Sequence, residues 1–498
     1  MSVWILTIGS SDVQLNTKAH WQNLLRNVKS QLDNRGFTPT DGTDNRFLVH
    51  ARVMGTVYSQ PPAKEYWGDL VFPLLDNFVG QIHNEVIEQI ILILTDQAAV
   101  FSPEDRRSQH CPYWQDTCTL EPLLTTYLKE KFPKTELKLL LLQPNSATEG
   151  LDDWDYVLKL VQEKFSKFDF PNKSTIYVSH QAGTPAISSA VQFSILAKFG
   201  ERVEFLVSSE RNSKLTRILD GSTYLRGIRL QEANALLKRY DYEGVKSLLS
   251  PYWEKSATPL EQKISELLQM AIQWNRAEFK DFGDLAKDKI EGAKERIDEP
   301  WAWWIGYESA YLAVVRLEQE NTVEALFHSF RAAEGLICKW AEWQYEKHID
   351  YKKDKETDLE SPLINRSIIT ELPHYLKNQF NNKDKTKNQE SVGLYSFNLY
   401  ELLRQSRKCE KDPRINVVWK IAAKWRNKYF HQLLGLQAQT VFDAWDTQHQ
   451  ADWEAKILDC LNFIIEPKPP FTSLKEASLM SQVHKELDKA IEQYEHTT

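Results

Sequence analysis

The stretch TIYVSHQAGTPAI, Thr175–Ile187, decides the fold. Thr175 to Ser179 is a short run of β-branched and aromatic residues, of strand type. Residues that turn a chain follow, from His180 to Gly183. Thr184 then stands where a helix N-cap belongs, and Pro185 suits a first helical position. Ile187, Ala190, Val191 and Ile195 recur at helical spacing until Gly200. A strand feeding directly into a helix is half of a βαβ unit.

The same grammar extends through the N-terminal part of the chain. Short apolar runs stand at Val3–Ile8 (VWILTI), Arg46–Val53 (RFLVHARV), Ile90–Leu94 (IILIL), Leu137–Leu142 (LKLLLL) and Val203–Ser208 (VEFLVS). Most are near-continuous, as parallel strands covered on both faces should be. Helix-period segments, Trp21–Leu32 and Lys64–Val86, lie between them. The pattern predicts a doubly wound, Rossmann-like α/β domain.

From about Leu225 to Glu299 strand runs vanish, and apolar residues repeat every three or four positions. Helical periodicity continues from Pro300 to Ile465, so the middle region and the C-terminal domain both read as all-α. Two polar stretches, Asp350–Ser361 and Lys377–Glu390, read as exposed loops or disorder. After EPKPP, a last amphipathic helix is expected from Ser473 to about Tyr494. A chain of 498 residues is too long for one core.

Composition narrows the function. Hydrophobic residues make up 42% and charged residues 26%, an ordinary globular balance. No apolar run reaches the roughly 18 residues that a spanning helix needs. The N-terminus lacks a basic region and runs straight into a strand pattern, unlike a signal peptide. Five scattered cysteines fit a reducing cytoplasm. His110, Cys111 and Cys118 lie close in sequence, but no second ligand pair accompanies them. They read as ordinary loop residues, and no metal is expected. The net charge of −8 argues against a protein coated in nucleic acid, yet leaves room for one local basic groove.

In an open parallel sheet, ligands sit beyond the carboxyl ends of the strands where strand order reverses. Two loops carry suitable chemistry: Gly9-Ser10-Ser11-Asp12, and Ser179 to Ala186. The first alone is no more than a turn. The second adds a glycine for close backbone approach and a helix start with free amides, which suits an anion. The fingerprints G-x-G-x-x-G and Walker A are absent, so no nicotinamide, flavin or P-loop cofactor is called for. That makes a small-molecule enzyme built on the α/β domain the weakest reading.

A second candidate lies near the C-terminus, in RNKYFHQ, Arg426–Gln432. With 12 His in the chain, one R-x4-H pair is by itself a weak signal. Val418, Ile421, Ala422, Trp425 and Tyr429 form a helical apolar stripe. At about 100° per residue, Asn427 and His431 fall on the opposite face, near Lys420, Lys424 and Lys428. The bland alternative is a solvated basic face. Arg426 and His431 cannot easily meet within one helix, but two copies at a dimer axis could bring them together.

The N-terminal domain, with its G-S turn after the first strand and its GTPAI helix start, resembles a CARF domain over about residues 1–215. Ile187 stands where the family pattern leads one to expect Met. The resemblance implies a cyclic oligoadenylate ligand and a homodimer. It assigns ligand contact to Gly9, Ser10, Ser11, His180, Gln181, Gly183 and Thr184, and less directly to Thr95, Asp96 and Gln97. RNKYFHQ and the helices upstream of it resemble a HEPN ribonuclease domain over about residues 300–465, which implies a C-terminal HEPN domain at 300–498, with 216–299 as a helical linker. Together these parts are similar to the CRISPR-associated ancillary ribonucleases of type III systems. That resemblance implies a metal-independent endoribonuclease acting on single-stranded RNA in antiviral defence, with Arg426, Asn427 and His431 catalytic. Lys420, Lys424 and Lys428 would bind RNA, and the cyclic oligoadenylate would be an allosteric activator, with no cofactor. The alternative is a non-catalytic sensor whose HEPN domain only dimerises or binds RNA.

Overall fold

The structure is a computed structural model. It describes residues 2–33, 35–145, 149–208, 213–253, 257–353, 360–376, 380, 390–409, 412–418, 435–466 and 470–496. The chain divides into two compact units, 1–226 and 227–498.

The N-terminal unit is built on six strands: β1 (Ser2–Thr7), β2 (Ile87–Thr95), β3 (Glu136–Leu142), β4 (Thr175–Ser179), β5 (Val203–Val207) and β6 (Arg217–Asp220). Their order is β6-β5-β4-β1-β2-β3. All neighbours are parallel except the β5–β6 pair. All six residues of β1 are buried, which explains why its sequence does not alternate polar with apolar. Its period-2 geometry shows instead in the partition of the core. Trp4 and Leu6 join one hydrophobic layer, and Val3 and Ile5 join the other.

The first layer is closed by α1 (Trp21–Val28), α2 (Ala51–Tyr58), α3 (Pro73–Ile82) and α4 (Glu121–Lys131). The second is closed by α5 (Trp154–Ser166) and α6 (Pro185–Phe199). On α6, Ile187, Ala190, Val191 and Ile195 are all buried, as their spacing predicts.

Two local expectations are corrected. RFLVHARV is not a strand: only Phe47–Leu48 pairs, in a small four-stranded sheet, and Ala51 already opens α2. Val53, Met54, Val57 and Tyr58 are buried there at helical spacing. Lys64–Val86 is not one helix either. A 3-10 segment runs from Pro61 to Asp69, and Pro73 at a helix start restarts the chain as α3.

In the C-terminal unit, helices from the middle and late parts of the sequence share one hydrophobic core, running from Leu230 to Tyr494. At its centre is α7 (Trp304–Glu318), which buries residues on every side, as an all-round apolar helix must. It pairs with α8 (Thr322–Gln344), and Gly306 faces Leu336 where the two approach. The all-α expectation needs one amendment. Ile349–Lys353, Glu360–Asn365 and Ser391–Gly393 form a three-stranded antiparallel sheet. The final segment is a short turn of helix, Leu474–Ala477, followed by α9 (Leu479–His496).

Candidate ligand-binding cleft

The strand order reverses at β1, whose neighbours are β4 on one side and β2 on the other. The loops beyond the carboxyl ends of β1 and β4 must therefore diverge into a crevice. A cleft of about 650 Å³ opens there.

Each wall has a local cause. Past β1, Asp12 is buried, and its Oδ2 accepts from the Gly9 amide at 2.8 Å. Gln14 Nε2 donates to Ser11 O at 2.8 Å. Past β4, Gly183 takes φ +94°, a conformation that L side chains rarely adopt. Thr184 caps α6: its Oγ1 accepts from Ile187 N at 3.3 Å and donates to Leu151 O at 2.7 Å. Gln181 behaves like one more strand residue. Its Nε2 donates to Ser208 O at 3.0 Å, and its Oε1 accepts from Ser208 N at 2.6 Å.

The loop beyond β2 forms the floor. Thr95 N donates to Thr117 Oγ1 at 3.0 Å, and Thr117 N donates to Thr95 Oγ1 at 3.1 Å. Gln97 N and Nε2 both donate to Asp116, at 2.8 and 3.2 Å. Asp116 is buried, which pushes its carboxyl pKa up against the downward pull of Gln97 and Arg52. Arg52 Nη2 reaches Asp96 Oδ1 and Asp116 Oδ2, each at 2.7 Å. Burial works against the guanidinium charge, and the flanking carboxylates help more than offset it.

Of the residues singled out in the sequence, the cleft is lined by Gly9, Ser10, Ser11, Thr95, Gln97, Gln181, Gly183 and Thr184. His180 and Asp96 are not among its lining residues. His180 Nδ1 bonds Ser188 Oγ at 2.9 Å, and its ring lies edge-on to Phe205. Burial lowers its pKa, which favours the neutral ring. Asp96 is turned toward Arg52. Arg426, Asn427, His431, Lys420, Lys424 and Lys428 lie outside the described residues.

Sequence reasoning missed further lining residues: His110, Gln115, Asp116 and Thr117 in the connection beyond β2, and Leu151 and Ser208 beside the β4 loop. The signal available was the long polar connection from Asp96 to Thr119, which leaves the carboxyl end of a central strand. No Lys or Arg is among the described lining residues. A phosphate-bearing ligand would depend on hydroxyls, backbone amides and the N-terminus of α6 rather than on ion pairs. His110, Cys111 and Cys118 form no metal set: the described residues contain no group of three or more His, Cys, Asp or Glu that could hold a metal ion. Burial raises the Cys118 thiol pKa to about 11. No helix among the described residues is long and apolar enough to cross a membrane.

No family model matches the sequence, and no curated protein matches it. Comparison of folds does find a likeness. Enterococcus italicus Csm6, solved bound to cyclic hexa-2′-fluoro-hexa-dAMP, aligns with a TM-score of 0.54 at 13% identity. The alignment covers 98% of this chain and all of that one. Across both units, then, this chain has the fold of Csm6.

Proposed function

We propose that this chain is an endoribonuclease of the CARF–HEPN kind, activated by cyclic oligoadenylate and acting on single-stranded RNA in type III CRISPR defence. The observation that carries the reading is the cleft at the strand-order reversal. Its lining is rich in hydroxyls, amides and glycines, its two carboxylates, Asp12 and Asp116, are held by the backbone amides of Gly9 and Gln97, and it is bounded by a capped helix start. Its support from outside is the likeness of fold to a protein solved with a cyclic hexanucleotide bound.

In this reading residues 1–215 bind the messenger, 216–299 connect, and 300–498 cleave RNA. A homodimer in the cytoplasm would align two copies of the Arg426–His431 segment. RNA brings its own nucleophile, the 2′-hydroxyl. An imidazole with an ordinary pKa of about 6.5 can take or give that proton near neutral pH. A guanidinium stays charged and can hold the phosphate and the charge that grows on it. Asn427 would orient its neighbours, and Lys420, Lys424 and Lys428 would attract the RNA backbone. As the 2′-oxygen bonds to phosphorus, the bond from phosphorus to the 5′-oxygen breaks and that oxygen takes up a proton, so this chemistry needs no metal and leaves a 2′,3′-cyclic phosphate and a 5′-hydroxyl. Ligand binding would shift the dimer toward a competent arrangement through its differential affinity for the two states.

The test combines the full chain with single-stranded RNA and either cyclic tetra- or hexa-adenylate. One ring should switch cleavage on. His431→Ala should abolish cleavage and leave ring binding intact. Cleavage by His431→Ala at the normal rate would sink the catalytic assignment. Ring binding without any cleavage by the wild type would favour the non-catalytic sensor instead.

A further inference from the structure

We propose that Arg52, which does not line the cleft, is a positioning residue that fixes the cleft-lining residues Gln97 and Thr184 relative to one another. The proposal rests on the reading of the cleft as a cyclic oligoadenylate site and deepens it.

The geometry is an unbroken relay across four chain segments. Arg52 on α2 donates to Asp116 at 2.7 Å. Asp116 accepts from the backbone and side chain of Gln97. Gln97 Oε1 accepts from Leu151 N at 2.9 Å. Leu151 O accepts from Thr184 Oγ1 at 2.7 Å. Gln97 and Thr184 line the cleft from the loops beyond two different strands, and these bonds join them.

Arg52 is itself held from several sides. Its Nε donates to Tyr113 O at 2.8 Å, and its guanidinium lies 4.0 Å from the centre of the Tyr113 ring. Arg106 lies 4.1 Å from the same ring. The helix that carries Arg52 sits directly on the turn after Asp116. A Cβ at Gly55 would lie 2.3 Å from the Thr119 backbone, and Thr119 Oγ1 donates to Arg52 O at 2.9 Å.

The charges explain why an arginine is needed. Asp116 has no exposed side-chain surface, and its partner nitrogen is shared with Asp96. One guanidinium nitrogen satisfies two carboxylates at once. A lysine carries the charge but not the planar fork that also bonds Tyr113 O. Without the cation, two carboxylates would face each other in a poorly solvated place. Asp116 would then reorient or take a proton and release Gln97.

The experiment titrates cyclic hexa-adenylate and cyclic tetra-adenylate against the full chain, following binding by calorimetry and RNA cleavage in parallel. Wild type, Arg52→Lys and Arg52→Gln are compared, each checked for folding by circular dichroism and thermal melting. For the ring that activates wild type, both variants should bind at least tenfold more weakly. The half-maximal ring concentration should rise in step, while cleavage at saturating ring stays within twofold of wild type. A purely structural role would lower the saturated rate and leave affinity alone, and that result overturns the proposal. So does unchanged affinity in either folded variant. If one variant does not fold, the other decides. If wild type binds neither ring, the reading of the cleft fails first, which is distinguishable from failure of the relay.

Discussion

Gly9 and Gly183, 174 positions apart in the sequence, meet across the crevice: a Cβ on Gly9 would lie 3.3 Å from the Gly183 amide nitrogen. The β1 and β4 loops come this close with ease because Gly9 carries no side chain. Gly183 is further constrained by its positive φ.

Gly183→Ala should therefore damage the site even though the residue added is small. Holding alanine at this φ costs on the order of 1–2 kcal/mol. Urea unfolding of the N-terminal unit should show a loss of that size, and affinity for cyclic oligoadenylate should fall about tenfold or more. Wild-type affinity in this variant would remove Gly183 from the site.

Thr184→Val keeps the shape and deletes the hydroxyl. It leaves Ile187 N without its cap and Leu151 O without its donor. Loss of the cap costs about 0.5–2 kcal/mol. Thr184→Ser, which retains both bonds, should lie close to wild type in thermal melting and in ring binding. A valine variant as stable and as tight-binding as the serine one would contradict this account of the loop.

Two buried groups in the C-terminal unit should give opposite pH slopes. Glu308 on α7 accepts from Trp274 Nε1, Ser478 Oγ, Leu479 N and Met480 N, which ties the start of α9 to the bundle. Burial pushes its pKa up to about 7 despite those bonds. An acid with a raised folded pKa binds its proton more tightly when folded. Its contribution is largest in acid and falls as pH rises from about 4.5 to about 7. His328 on α8 is pushed down to about 4, mainly by burial, with Arg331 and Arg316 adding and Glu324 opposing. Its contribution is full above pH 6.5 and is lost as pH falls toward 4. In the wild type the two slopes partly cancel. Urea midpoints should decline with rising pH more steeply in His328→Gln, and more steeply with falling pH in Glu308→Gln. Parallel profiles in both variants would refute this.

If Arg426 and His431 work as proposed, cleavage should survive a chelator and yield ends that carry a 2′,3′-cyclic phosphate, resolved by mass spectrometry. Arg426→Ala should cut the saturated rate by several hundredfold or more, about 4 kcal/mol in transition-state stabilisation. Complete loss of cleavage on chelation would overturn the metal-free chemistry.

Much of this was written locally. The near-continuous apolar runs announced buried parallel strands because such strands are covered on both faces. Thr184, Pro185 and Gly200 marked the ends of α6 because cap chemistry depends only on neighbouring residues. RFLVHARV was harder: its β-branched residues favour a strand, but packing of Val53, Met54, Val57 and Tyr58 against the sheet decided for helix. The strand Ile349–Lys353 had almost no pattern to read, since it is largely exposed and so shows no alternation.

The sequence by itself determined that an α/β part precedes a largely helical one, and the turn and cap chemistry at Gly9 and at Gly183–Thr184, because both follow from short-range periodicity and turn preference. Only the tertiary structure decided that Asp116 and Leu151 join Gln97 in lining the cleft, with Arg52 behind Asp116, and that His180 and Asp96 turn away from it. The reason is physical: which strands lie side by side depends on how distant segments share a core, and the spacing within any one segment does not encode that choice.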